Sequence, residues 1–196
     1  MLYLRRLAET ENVLEALAVP TPRQRPAEHA FSMVYKTLSA DQKVLLRAAG
    51  SFAPGIIDPA ALLTLYSGHP EDPNPLSGNL LSVLEPDPLH GGLRLHPLTR
   101  HYARLLLHQA EEAAERGAQH HAYFWQRAKQ RAHEAHPPPD PELSQYLHAQ
   151  EWARRYVPEL LPPYTLAVGH WLAVQHHFAP LREWLALSVG GGASGV

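Results

Sequence analysis

The chain has 196 residues, 45% of them hydrophobic and 18% charged, which is enough apolar material for one generous domain or two small ones. Its formal charge is −2 with 14 histidines taken as neutral, so it has no general attraction to nucleic acid or to anionic membranes. Cysteine is absent, which excludes disulfides, thiol catalysis and cysteine-based zinc sites.

Met1 to Arg6 lacks the apolar core of a secretory signal, and no stretch approaches the roughly 20 apolar residues of a membrane span. A cytoplasmic location is therefore expected. Leu4, Leu7, Leu14 and Leu17 mark one face of an opening helix that Pro20 and Pro22 terminate. Residues 20–26 read as a Pro-rich linker. Phe31, Val34, Tyr35 and Leu38 have the spacing of a second helix, from about Ala27 to Leu38. Ser39 and Gln42 have the pattern of a capping box, opening a helix that buries Leu45, Ala48, Ala49 and Phe52 and ends at Pro54-Gly55. Asp58-Pro59 supplies an N-cap and a first-turn proline for Ala60 to Tyr66. After a polar turn, Gly68 to Pro75, another short helix is predicted over Leu76 to Glu85. The Gly91-Gly92 turn between short apolar runs predicts a hairpin over residues 86–95 as the only β structure.

A long helix follows from Pro97 to Arg116, with Leu98, Tyr102, Leu105 and Leu106 on one face. Beyond Gly117, helices are predicted over Gln119–His136, Glu142–Tyr156, Tyr164–His177 and Pro180–Ser188, separated by Pro137-Pro138-Pro139 and by Pro158 to Pro163. Helix pairs of similar length suggest an α-solenoid or tetratricopeptide-like array, although no strict 34-residue signature is present. The Gly-rich end, 189–196, reads as a disordered tail.

Three short helices, a Gly-turn hairpin and a longer helix follow the order of a winged helix, and particular words sharpen the match. Phe31 to Leu38 resembles the opening helix of the winged-helix region in NB-ARC and other STAND-class nucleotide switches, and Leu45 to Phe52 is similar to their next helix. Leu80-Leu81-Ser82-Val83-Leu84 resembles the helix before their wing. Leu93-Arg94-Leu95-His96-Pro97-Leu98-Thr99-Arg100-His101-Tyr102-Ala103 is close to the family pattern of a hydrophobic residue, then His-Pro-Leu, Arg and Tyr-Ala. Further on, His120-His121-Ala122-Tyr123-Phe124 and the stretch around Gln150-Glu151-Trp152-Ala153 look like helices of the bacterial sensor arm, the second without its usual asparagine.

The resemblance implies a mainly α fold in four parts: a terminal helix and linker over 1–26, a winged helix with a small β-hairpin wing over 27–116, a helical-repeat arm over 117–188, and the tail. It implies a protein–protein interaction and signal-relay module, not an enzyme. The partner would be a protein, or the NTPase domain of the same parent. In that family the His-Pro-Leu histidine contacts the β-phosphate of bound ADP; His96 holds that position here. An imidazole at a helix start suits a phosphate. Equally, His96 can simply cap the Pro97 helix or pack beside the hairpin. No Gly-x-x-x-x-Gly-Lys-Ser/Thr loop is present, nor the Gly-x-Pro motif of the preceding subdomain. The chain is therefore expected to be the C-terminal part of a larger switch or a truncated relative, with no cofactor of its own and ADP or ATP bound only in a larger parent. A free-standing helical adaptor and a DNA-binding regulator are the alternatives.

Other chemistry finds little support in the residues. The 76–85 helix offers Ser77, Asn79 and Ser82 but no Lys or Arg, and the wing supplies only Arg94, which disfavours DNA. Of the histidines, His133 and His136 can share a helix face, while His101 with His108 and His170 with His177 lie two turns apart, too far for one ion. His120-His121 and His176-His177 point in different directions. They read as solvated or interfacial side chains, whose charge responds to pH between roughly 5 and 7, and no metal site is expected. Gly50-Ser51 and Tyr66-Ser67-Gly68 lack a nucleophile elbow. Glu111, Glu112 and Glu115 read as a solvated helix face. Trp125, Trp152, Trp171 and Trp184, with Tyr123, Phe124, Tyr146, Tyr156 and Phe178 nearby, are expected to be mostly core, any exposed member being a partner anchor.

Overall fold

A computed structural model of the chain describes residues 24–66, 74–132, 140–174, 181–182 and 184–186. The opening helix, the 68–75 turn, the triple proline, His133, His136, His176, His177, Phe178 and the tail lie wholly or mostly outside the described residues. Within them the fold is mainly helical, with one small antiparallel sheet.

Helix α1 spans Gln24–Thr37, starting inside the expected linker. Pro26 falls in its first turn, where a missing N–H leaves no helical bond unmade. Phe31, Val34 and Tyr35 pack on the core and Leu38 is buried, as their spacing predicts. The capping box then opens α2, Ala40–Ala49: Ser39 Oγ accepts the Gln42 N–H at 3.2 Å, and Gln42 Oε1 accepts the Ser39 N–H at 3.2 Å. Such a cap contributes about 1 kcal/mol. Helix α2 ends at Gly50, before the expected Pro54-Gly55. A Cβ at Gly50 would meet the backbone of Ala103 and Arg104 at 2.8 and 2.9 Å, so glycine lets two helices touch.

Strand β1 is only Ile56–Ile57, and its presence corrects the expectation of a hairpin alone. Asp58 Oδ1 accepts the Ala60 N–H at 2.9 Å and caps α3, Pro59–Thr64. Where a helix was expected over 76–85, a 3-10 turn, Gly78–Ser82, leads straight into β2, Leu84–Asp87. Gly78 has φ +56, and Pro86 cannot continue a helix; burying Leu84 opposite Leu95 favours the strand. The hairpin closes through Gly91, φ +66, into β3, Gly92–Leu95. Strand order is β1-β3-β2, all antiparallel, with Ile56 opposite Arg94 and Pro86 opposite Leu93. A side chain at Gly92 would meet Ile56, so glycine admits β1 to the sheet.

Helix α4, Pro97–Gln109, stops short of the expected Arg116. Glu111 adopts φ 58, and the N–H groups of Glu111 and Glu112 bond the carbonyls of His108 and Leu107 at 3.0 and 3.1 Å, a left-handed helix stop. Its buried residues are Tyr102, Ala103 and Leu107, whereas Leu98 and Leu105 are exposed. Helix α5, Ala113–Arg131, then runs unbroken through Gly117, so the helical break precedes the expected 116/117 boundary. Gly117 is covered by Trp152, whose Nε1 would lie 2.6 Å from an added Cβ. Helix α6 is Asp140–Tyr156, close to expectation. A 3-10 turn, Pro158–Leu160, precedes α7, Leu161–Val174, which takes Pro162 and Pro163 into its first turn instead of starting after them. Helices α5, α6 and α7 pack on one another. Buried residues from Leu38 through Phe52 and Phe124 to Trp171 form one continuous core, shared by the sheet and these later helices.

Candidate functional site

Helix α4 starts where β3 ends, which puts His96 at the corner between sheet and helix. Its backbone is extended (φ −56, ψ 143), and its Nδ1 accepts the Leu98 N–H at 3.3 Å. Capping of the Pro97 helix is thus its role among the described residues. With Nδ1 accepting, the neutral ring carries its proton on Nε2, a donor suited to an anionic oxygen. The side chain is exposed. Leu98 and Leu105 follow at 42 and 43% exposure, two turns apart on one side of α4, so an apolar strip begins next to His96. One turn into α4, the Arg100 guanidinium donates to the Phe52 carbonyl at 2.6 Å. Burial, with the Arg104 charge nearby, pulls its pKa down to about 10.

Behind that helix lies a polar junction that sequence reasoning did not single out. Gln145 on α6 accepts the Ala53 N–H at 2.9 Å and donates to the Ala53 and Ile56 carbonyls at 3.2 and 3.1 Å. His120 Nε2 also meets Gln145 Oε1, at 3.2 Å. Because that oxygen is an acceptor only, His120 holds its proton on Nε2. On either side of Gln145, Ser144 Oγ donates to the Pro54 carbonyl at 3.1 Å, and His148 Nε2 meets the Ser51 carbonyl at 3.0 Å. Three neighbouring side chains of α6 therefore satisfy the irregular segment between α2 and β1. Buried backbone without such partners is costly. Nothing in the local sequence marks Gln145, since the backbone groups it serves lie about 90 positions away.

The histidines divide differently from expectation. His120 and His121 are buried, not solvated: His120 sits edge-on to Phe52 at 4.9 Å and 5.3 Å from the His148 ring, while His121 is stacked between Trp152 at 5.1 Å and Tyr164 at 5.9 Å. Burial holds the pKa of His120 well below its ordinary value, with His148 adding to the effect; burial lowers His121 as well. His108 is exposed and His101 half-buried. Among the described residues, no group of three or more His, Cys, Asp or Glu side chains could hold a metal ion.

Glu112 also departs from expectation. It takes two bonds from Arg47, at 2.7 and 3.2 Å, and lies 3.7 Å from Arg116, whose guanidinium donates to the Leu65 carbonyl. Burial opposes the charge of Glu112, but Arg47 and Arg116 together outweigh it and hold the carboxyl below its usual pKa. Glu111 and Glu115 are exposed as predicted. Ser51 is no nucleophile: its buried hydroxyl donates to the Ala48 carbonyl at 2.7 Å. Phe124, Tyr146, Trp171 and Trp184 are core, and Trp125 and Trp152 are half-buried. Tyr156 stays 63% exposed, the one member of this aromatic set classed as exposed among the described residues.

A cleft of about 260 Å³ opens between the hairpin turn and helices α5 and α6, lined among others by Asp58, His90, Arg127 and Glu142. Arg127 lies 2.9 Å from Glu142 and 3.4 Å from Asp58, and Arg131 takes Glu142 at 3.0 Å. Its charges are spent on one another. The chain matches no family model, no curated protein and no solved structure. No helix of the described residues is long and apolar enough to cross a membrane.

Proposed function

We propose that this chain is a protein–protein interaction and signal-relay module of a STAND-type regulatory switch, with a winged helix over about 27–116 and a helical-repeat arm over about 117–188. Support for the winged helix comes from the order α2, β1, α3, 3-10 turn, β2, β3, with β3 central in the sheet and α4 following directly. Support for the arm comes from the mutual packing of α5, α6 and α7, each helix against the other two. One observation carries the functional reading: His96 is exposed at the start of α4, beside an apolar strip that nothing in this chain covers among the described residues. In a switch of this kind the strip packs on the nucleotide domain, while Nε2–H of His96 reaches the β-phosphate of ADP. The relay itself performs no chemistry, and a change at α4 passes to the arm through the Gln145 and Glu112 contacts.

A DNA-binding reading is weakened by the wing. Arg94 lies 2.5 Å from Asp87 and is spent there, and the 3-10 turn before the hairpin exposes Asn79 and Ser82 without a cation. Titration of labelled duplex at low salt checks this; a salt-sensitive shift would revive it. The main reading is tested in a protein that carries this chain together with a nucleotide domain. His96→Ala is expected to speed ADP release about tenfold, the worth of one charge-assisted hydrogen bond. Unchanged release removes His96 from the switch.

A further inference from the structure

The cleft between the hairpin turn and helices α5 and α6 pairs its charges unevenly. Glu142 is held on both oxygens: Arg127 Nε lies 2.9 Å from Oε1, and Arg131 reaches Oε1 and Oε2 at 3.0 and 3.1 Å. Asp58 is held on one. Its Oδ1 accepts the Ala60 N–H at 2.9 Å, but its Oδ2 meets Arg127 and the Tyr123 hydroxyl only at 3.4 Å each. Across that long contact, Arg127 uses Nε on Glu142 and Nη1 on Tyr123 and Asp58, and its Nη2 takes no bond among the described residues. The two side chains are 35 and 33% exposed, so a solute can reach both. A guanidinium edge and a carboxylate oxygen thus stand side by side in the cleft wall, each with bonding capacity to spare.

His90 and Gly91-Gly92 line the hairpin side of the cleft. His90 Nδ1 faces both oxygens of Asp87 at 3.2 Å, and Asp87 Oδ1 also accepts the Leu89 and His90 amides at 3.0 and 3.2 Å. That carboxylate only accepts, so the neutral ring carries its proton on Nδ1 and leaves Nε2 as an acceptor. Size and charge then narrow the ligand. At about 260 Å³ the cleft is smaller than the roughly 300–1,000 Å³ that drug-sized ligands occupy, which suits a compact metabolite. Asp58 and Glu142 repel a phosphate, and Arg127 and Arg131 repel a polyamine. A small molecule that carries both signs at once meets neither objection.

We infer that this cleft binds a free α-amino acid as its zwitterion, the carboxylate on Arg127 Nη2 and the ammonium on Asp58 Oδ2. In such a molecule the two charges are joined through a single carbon, which matches a cation and an anion 3.4 Å apart. The ligand exchanges one long ion pair for two charge-assisted hydrogen bonds. A peptide terminus brings only one of the charges, and a dipeptide holds them too far apart. Lodged between α5 and the hairpin, the ligand ties the sheet-bearing part to the arm. The site does not depend on what α4 contacts.

Amide spectra of the full chain, recorded at fixed pH and ionic strength, test this. Each standard L-amino acid is added separately at up to about 10 mM, and the Gly91 and Gly92 resonances are followed. At least one amino acid is expected to move them saturably, with a Kd of about 1 mM or tighter. Its N-acetyl derivative and its amide each lack one charge and should bind at least about tenfold more weakly. Asp58→Asn keeps an N-cap for α3 while removing the charge, and should weaken binding by a similar factor. Arg127→Gln should do the same. If no amino acid moves Gly91 or Gly92, the proposal is overturned. Equal binding of the acetylated or amidated form overturns it as well, and so does unchanged affinity in Asp58→Asn.

Discussion

Replacing Gln145 by leucine keeps the side-chain volume while removing an acceptor and a donor that between them serve four groups. The Ala53 N–H loses its 2.9 Å bond, the Ala53 and Ile56 carbonyls lose theirs at 3.2 and 3.1 Å, and His120 Nε2–H loses its acceptor at 3.2 Å. Ala53 and His120 are 5 and 1% exposed, so water cannot reach them without opening the joint. A buried donor left unpaired costs roughly 1–3 kcal/mol, and a carbonyl less because it has two lone pairs. Two stranded donors and two weakened carbonyls give about 4 kcal/mol, offset by about 1 kcal/mol from burying leucine instead of an amide. The net expectation is about 3 kcal/mol of lost stability, measured by urea unfolding with circular dichroism and extrapolated linearly to water. Adding His120→Phe to Gln145→Leu should recover about 1 kcal/mol of that loss, because the stranded imidazole donor disappears with it. A single-variant loss under about 1 kcal/mol would show that the segment 51–56 does not depend on α6, and the account of the junction would fail.

Three further outcomes follow from local geometry. Glu111→Gly should stabilise the chain, since Glu111 holds φ 58, which costs a side-chain-bearing residue about 1 kcal/mol; a rise of roughly 2–4 °C in the melting temperature is expected, and a fall would contradict the left-handed helix stop. Gly50→Ala should cost about 2 kcal/mol in chemical unfolding, because its Cβ would meet the backbone of Ala103 and Arg104 at 2.8 and 2.9 Å; neutrality would mean that α2 and α4 are not in contact there. Glu112→Gln should cost about 1–2 kcal/mol near neutral pH and much less in Arg47→Met, since the bidentate pair would already be broken; additive losses would deny the coupling.

Sequence legibility followed the range of the determining interactions. Ser39 with Gln42 and Asp58 with Pro59 act within a few residues, so both caps stood where their pattern put them. Gly91-Gly92 likewise announced the hairpin. Strand β1 did not announce itself, because two isoleucines become a strand only when β3 arrives from nearly 40 positions away. The break between α4 and α5 was hidden for another reason: glutamate in a left-handed conformation bears no compositional mark, and periodicity ran on past it to Gly117. Pro162 and Pro163 misled in the opposite direction, since a first helical turn tolerates what an interior does not. Of the candidate site, His96 was legible and its capping bond was foreseen as one of its roles. Leu98 and Leu105 were read on one apolar face with Tyr102 and Leu106, but their exposure was not legible, because helical spacing reveals a stripe without saying which part of it is buried. Burial of His120 and His121 was invisible for the same reason as Gln145: the aromatic and carbonyl partners belong to other elements.

The most direct test of the relay is to map where α4 is covered. Amide exchange is followed on the chain alone and on the chain joined to a STAND nucleotide domain in its ADP state. Added protection is expected over residues 96–106, from His96 along the strip of Leu98 and Leu105, with residues 78–92 left unchanged. Protection confined to the arm, or absent from α4, would contradict the proposal that this corner is the face through which the chain receives its signal.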